Sequence, residues 1–179
     1  MKLVEQQKVF FFIFFTGFIV GILYTNLIAV DYLTMTSVFC GYYLNEYISA
    51  RWTFADCLLQ VVYVRVMPLI GILVIGYSKL NRVGVMLFLA WTGFLCGIYM
   101  SMGIAQLGLN GIVFCLIGMF PQILFYIPAY LIAVIFSYKY PMSQWSTAKI
   151  GVIIMCMISG IILECQVNPY IMRWFIKLL

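Results

Sequence analysis

Chemistry in this chain would have to come from very few side chains. The carboxylates are Glu5, Asp31, Glu46, Asp56 and Glu164, the cations are ten lysines and arginines, and there is no histidine. Without histidine there is no His-based triad, no imidazole metal ligand and no proton relay of the usual kind near neutral pH. General acid–base work by paired carboxylates would need acids that lie far apart in sequence to meet. Cys40, Cys57, Cys96, Cys115, Cys156 and Cys165 form no C-x-x-C pair, so neither a zinc site nor a thioredoxin-like dithiol has its spacing. Most of them stand in apolar runs, where a free cysteine behaves as a small hydrophobe, and Cys40 and Cys57 are the pair that could share an extracytoplasmic disulfide. These residues disfavour an enzyme and imply no metal or other cofactor.

Arg65 and Glu164 interrupt long apolar stretches and are the charges expected at depth in a membrane. A charge there costs on the order of 3 kcal/mol on insertion scales, so each needs a partner, a cavity or the interface. They are expected to fix the packing of two spans, as a pair, or else to snorkel to the same outer surface. Gln106, Asn110 and Gln122 could line a solute path, although scattered amides more commonly make hydrogen bonds between packed helices.

The elements that position these groups follow from composition. Of 179 residues, 66% are hydrophobic and 8% charged, against about 25% charged in soluble domains. The chain is therefore read as an integral membrane protein, with no length to spare for a soluble catalytic domain. The net charge of +5 is scattered rather than gathered into a run, which gives nucleic-acid binding no support.

At roughly 20 residues per crossing, the apolar segments predict five spans, near 9–30, 57–78, 83–102, 112–137 and 150–166. The fold class is all-α, a polytopic helical bundle forming one membrane domain over 1–179. The first span runs past the length of a signal-peptide core with no small-residue cleavage site, and is read as an uncleaved anchor. From Asp31 to Asp56, charges and hydroxyls mix with aromatics in VFCGYYLNEYISARWTF, which suits an interfacial helix. The second span must begin before Arg65, or carry it by snorkelling, and Pro68 kinks or starts its buried part. No charge appears from Val83 to Tyr138, enough chain for two spans, and the glycines of GIAQLGLNG, 103–111, mark the break between them. The fourth segment is overlong and contains Pro121-Gln122 and Pro128, so it is expected to be kinked or re-entrant.

Lys2, Lys8, Lys79, Arg82, Lys139 and Lys149 fall on one side of this five-span arrangement, and Arg51, Arg173 and Lys177 on the other. By the positive-inside rule the amino terminus is cytoplasmic and the chain is a multi-pass protein of a cell membrane. Gly17-x-x-x-Gly21 and Gly93-x-x-x-Gly97, the latter with Ser101 on the same face, permit close helix approach. Packing within the chain is the simpler reading, and homo-oligomerisation or partner contact the alternative. There is no internal repeat of the kind that marks inverted-repeat transporters.

The stretch from Gly17 to Lys177 resembles the stage II sporulation protein M family of bacterial membrane proteins. The resemblance rests on FIVGILYTNLIAVD, YYLNEYIS, GIAQLGLNGIVFCLIGMFPQILFYIPAYLIA and ILECQVNPYIMR. Its most specific parts are Phe120-Pro121-Gln122 with Ile127-Pro128-Ala129, and Glu164-x-x-x-Asn168-Pro169. The resemblance implies a scaffold without a hydrolase motif, which localises two peptidoglycan-degrading partners, stage II sporulation proteins D and P, during engulfment. Family members outside sporulation, some beside transport components, make a membrane subunit of an ABC-type or other export transporter the alternative. In that case a basic connection, Lys79 to Arg82 or Lys139 to Lys149, would meet a cytoplasmic ATPase.

Overall fold

Inside a bilayer every backbone N–H and C=O has to be satisfied within the protein, and the apolar runs of this chain do so as helices. The computed structural model describes residues 2–28, 39–49, 53–140 and 146–178. These contain eight helices: α1 (Lys2–Leu27), α2 (Gly41–Ser49), α3 (Phe54–Tyr77), α4 (Asn81–Leu107), α5 (Leu109–Met119), α6 (Ile123–Lys139), α7 (Thr147–Gln166) and α8 (Asn168–Ile176). Four helical stretches are long and apolar enough to cross a membrane: Gln7–Leu27, α3, α4, and α7 continued by α8 as Thr147–Ile176. The pair α5 and α6 passes the same test jointly and is bent by 69° at its break. The protein is thus an all-α, multi-pass membrane protein, and its fourth segment is kinked as its prolines predict.

Several boundaries differ from those expected. Span two begins at Phe54 because Thr53 caps it, its hydroxyl accepting from the Asp56 amide and donating to the Asp56 carboxylate. Arg65 therefore lies in mid-helix. The break expected across 103–111 shrinks to Gly108, which has φ +60°, a left-handed conformation that glycine adopts without strain. Gly103 and Gly111 do other work: a Cβ on Gly111 would strike the Gly103 carbonyl oxygen, so the two glycines let α4 and α5 approach at backbone distance. The last span does not stop at Gln166, because α8 extends it and places Glu164 well inside a 30-residue stretch. Of the outer segment, Asp31 and Arg51 lie outside the described residues. Its described part forms α2, with Tyr42 and Tyr43 exposed and Leu44 buried, the one-sided burial expected of an interfacial helix.

The chain divides into two compact units. The first holds Met1–Ser49 and Met86–Leu116. Here the small-residue motifs of α1 and α4 meet face to face. A Cβ on Gly17 or Gly21 would strike the carbonyl oxygen of Ala90 or Phe94, and one on Gly93 or Gly97 that of Phe14 or Phe18. Partner numbers rise together along both helices, so α1 and α4 are parallel, as two spans separated by one intervening crossing must be. The GxxxG pairs are consumed inside the chain. Phe39 seats this unit's next segment, its ring 5.4 Å from Phe114 and 6.3 Å from Tyr99.

The second unit holds Ala50–Val85 and Ile117–Leu178. In it α3, α6 and α7 pack against one another, and α8 against α7. Ser137 on α6 donates to the Ile72 carbonyl oxygen at 3.0 Å, at a point where a Cβ on Gly76 would collide with the serine. Asn81, at the start of α4, donates through Nδ2 to the carbonyl oxygens of Ser137 (3.1 Å) and Tyr140 (2.6 Å) at the end of α6. The end of α6 thus sits beside the start of α4.

Candidate functional site

Arg65 stands 11 residues into α3 and 12 from its end, about 16 and 18 Å from the two ends at 1.5 Å per residue. At that depth a guanidinium needs an acceptor, and α7 supplies one. Arg65 Nη2 donates to Glu164 Oε1 at 2.6 Å and Nε to Oε2 at 3.0 Å, a forked ion pair between residues 99 apart in sequence. Both residues expected at depth are thus joined to each other. Glu164 is the more enclosed of the two, its side chain 13% exposed against 38% for Arg65.

Two tyrosines of α6 complete the cluster. The Tyr126 hydroxyl donates to Glu164 Oε2 at 2.7 Å, and its ring lies under the guanidinium, 5.1 Å from centroid to Cζ. Tyr130, one turn further on, donates to the backbone carbonyl oxygen of Arg65 at 2.6 Å. That carbonyl lies in the turn before Pro68, where the proline ring crowds the helix and removes an N–H donor. Gly160, one turn before Glu164, makes room for the ring: a Cβ there would fall 2.6 Å from Tyr126 Cε1. Glu164 therefore accepts three hydrogen bonds, most of the roughly four acceptor positions of a carboxylate, and ties α3, α6 and α7 together.

A second group lies at the break between α5 and α6. Pro121 has no N–H to offer the Ile117 carbonyl, and the helix stops at Met119. Gly118 O receives side-chain donors instead, from Gln122 Nε2 and from Asn168 Nδ2 at 3.2 Å. Two amides on different elements thus cap one broken end. Since each amide nitrogen faces Gly118 O, each oxygen faces away, and Gln122 Oε1 and Asn168 Oδ1 are buried acceptors without a hydrogen-bond partner. Pro121 is half-buried at the break, joined to Phe120 by a cis peptide bond. Pro128 lies within α6, and Pro169 occupies the first turn of α8, where a missing N–H is tolerated.

The structure thus gathers Arg65, Gln122, Glu164 and Asn168 into side-chain contacts within the second unit. Gln106 and Asn110 belong to the first unit, half-buried and exposed respectively, whereas Gln122 is spent on helix capping. The first unit also contains a mostly apolar cavity of about 340 Å³, lined by Phe18, Ile22, Met100 and Ile104 among others. Asn26, which lines it together with Ser101, donates back to the Ile22 carbonyl oxygen at 2.9 Å. Among the described residues no group of acidic, cysteine or histidine side chains could hold a metal ion.

Tyr126, Tyr130 and Gly160 were not anticipated from sequence. The signal that could have found them is spacing: Tyr126 and Tyr130 lie four residues apart on one face, and Gly160-x-x-x-Glu164 puts a notch beside the charge. No protein-family model, characterised protein or solved structure matches the chain.

Proposed function

We propose that this protein is a non-enzymatic membrane scaffold of the kind represented by stage II sporulation protein M, anchoring peptidoglycan-degrading partners at a bacterial cell membrane. The observation that carries this reading is how the polar residues at depth are used. Arg65 and Glu164 bind each other, and the carboxylate's remaining contact is to Tyr126 of the same chain, so the cluster acts as a clamp on three helices. A fixed helix packing is what an anchor requires. Partners of the class of stage II sporulation proteins D and P would be held on membrane-facing apolar surfaces, where Phe11, Phe12, Trp91 and Leu95 are exposed, and on the outer segment that includes α2. The amino terminus is cytoplasmic in this proposal, following the basic turns.

The break between α5 and α6 favours a second reading. Discontinuous helices with buried polar groups at the break are a feature of transporter substrate sites, and here Gln122 Oε1 and Asn168 Oδ1 lie beside such a break. This is the membrane subunit of an ABC-type or other export transporter. Solubilising native membranes in mild detergent and identifying what co-purifies separates the two. Wall hydrolases in fixed ratio support the scaffold; an ATPase in fixed ratio replaces it with the transporter.

A further inference from the structure

Four cations spread through the sequence meet at one end of the second unit. Tyr130 bonds to the Arg65 carbonyl and Ser137 to the Ile72 carbonyl across the same separation of 65 residues. The helices α3 and α6 therefore run parallel and end together, with the Tyr77 and Tyr140 rings 5.0 Å apart. From Gly118 to Tyr126 the partners on α8 and α7 fall from Asn168 to Glu164 and Gly160, so α7 runs the opposite way. Lys79 lies 14 residues after Arg65, and Lys149 15 before Glu164. At 1.5 Å per residue these are about 21 and 22 Å from the ion pair, which brings both lysines to one level. Lys139 ends α6 at that level. Asn81 fixes the fourth cation, because its bonds to the Ser137 and Tyr140 carbonyl oxygens hold the start of α4 here. The next residue, Arg82, lies over the Tyr138 ring with its Cζ 5.9 Å from the centroid.

Among the described residues none of these four cations has a carboxylate partner. The unit's acids are Asp56, at the other end of α3, and Glu164, which Arg65 occupies, and the connecting residues 141–145 carry no charge. The surroundings decide which anion fits. Only Ser78 to Leu80 join α3 to α4, so the cations stay at the level where the helices end. Leu80 stands exposed between Lys79 and Arg82, and Tyr77, Val83 and Ile150 are exposed around them. Such apolar and aromatic side chains suit the edge of a leaflet, whereas an acidic protein segment would need a basic surface standing clear of it. We propose that Lys79, Arg82, Lys139 and Lys149 form a binding site for the phosphate headgroup of an anionic phospholipid in the leaflet on this side. The ammonium groups and the guanidinium face the phosphate oxygens, Tyr138 backs the guanidinium, and the apolar rim meets the acyl chains. The lipid supplies the negative charge that the chain lacks at this end. This inference goes beyond the scaffold reading and does not depend on it.

The test uses the full chain purified in a mild nonionic detergent. Short-chain phosphatidylglycerol or phosphatidylcholine is added below its critical micelle concentration, and bound lipid is counted by native mass spectrometry. Phosphatidylglycerol is expected to be held at least about tenfold more tightly than phosphatidylcholine. Lys79→Gln with Lys139→Gln should weaken it about 25-fold, at roughly fivefold per charge, and leave phosphatidylcholine unaffected. Asn81→Ala alters no charge, yet it should weaken phosphatidylglycerol binding by releasing Arg82 from the end of α6. Lys177→Gln removes the same charge beyond the end of α8 and should change binding by less than about twofold, since charges further apart than a Debye length are screened. Because the wild type alone must discriminate the two lipids, a variant that fails to fold does not rescue the proposal. Equal retention of the two lipids overturns it, as does an equal loss with Lys177→Gln. Displacement of the lipid by inorganic phosphate at matching concentration overturns it in favour of a free anion. An acidic protein that co-purifies and is released by the double variant, with lipid binding unchanged, overturns it in favour of a protein partner.

Discussion

The Arg65–Glu164 pair makes the most demanding prediction, because its two halves are not equally enclosed. Arg65→Leu leaves the Glu164 carboxylate 13% exposed, with Tyr126 Oη as its surviving partner of the three bonds. Removing one member of a buried pair typically costs about 3 to 5 kcal/mol, since the other is left uncompensated, and Arg65→Leu is placed near the upper end. Glu164→Leu strands a guanidinium whose side chain is 38% exposed and long enough to snorkel, which places its cost near 3 kcal/mol. The double variant loses the attraction but strands no charge, and apolar replacement of a whole buried pair is often close to neutral. Arg65→Leu with Glu164→Leu is therefore expected to be more stable than either single variant, with a coupling energy of at least about 2 kcal/mol. Unfolding of the purified protein by sodium dodecyl sulfate in mixed micelles, followed by circular dichroism, measures all four corners of the cycle. Additivity of the two single losses to within about 0.5 kcal/mol would show the residues to be energetically independent and would refute the clamp.

Other perturbations test the remaining joints. Gly93→Val drives a Cβ into the Phe14 carbonyl oxygen and should cost about 1 to 3 kcal/mol by overpacking. Gly71→Ala, where a Cβ meets open space, should stabilise α3 by up to about 1 kcal/mol; the same unfolding assay reads both. Asn81→Ala removes two bonds to the end of α6 and should cost about 2 kcal/mol at roughly 1 kcal/mol each, visible as a lower thermal midpoint in detergent. Single cysteines introduced at Leu80 and Lys139 should react with a membrane-impermeant maleimide from one side of sealed vesicles, and one at Leu109 from the other. Reaction of Leu109→Cys and Leu80→Cys from the same side would mean that α4 does not cross.

Much of the fold is written in the one-dimensional pattern. Hydrocarbon admits backbone only where its hydrogen bonds close internally, so uncharged runs of sufficient length become helices, and Lys79, Arg82, Lys139 and Lys149 mark where they end. Prolines 121 and 128 signalled an irregular fourth segment for the same local reason. Local pattern failed where a residue's use depends on what faces it. Gly103 and Gly111 read as breakers, yet they serve a helix crossing, and Gly108 makes the turn. Thr53 moved the start of α3 because a cap depends on a hydroxyl reaching the amide of Asp56. The last span was ended at Gln166, whereas α8 continues it to Ile176 with Tyr170 and Trp174 exposed.

The candidate site divides along the same line. Composition and charge placement by themselves determine a multi-pass helical membrane protein and single out Arg65 and Glu164 as residues that need an explanation, because an unpaired charge in hydrocarbon is costly wherever it lies. That each is the other's partner, that Tyr126 and Tyr130 join them, and that Gln122 and Asn168 share one carbonyl, are decisions of the tertiary structure alone. Each contact depends on the rotation and depth of two helices, and moving one residue along a helix turns a side chain by about 100°. No local sequence preference carries that information between residues 99 apart.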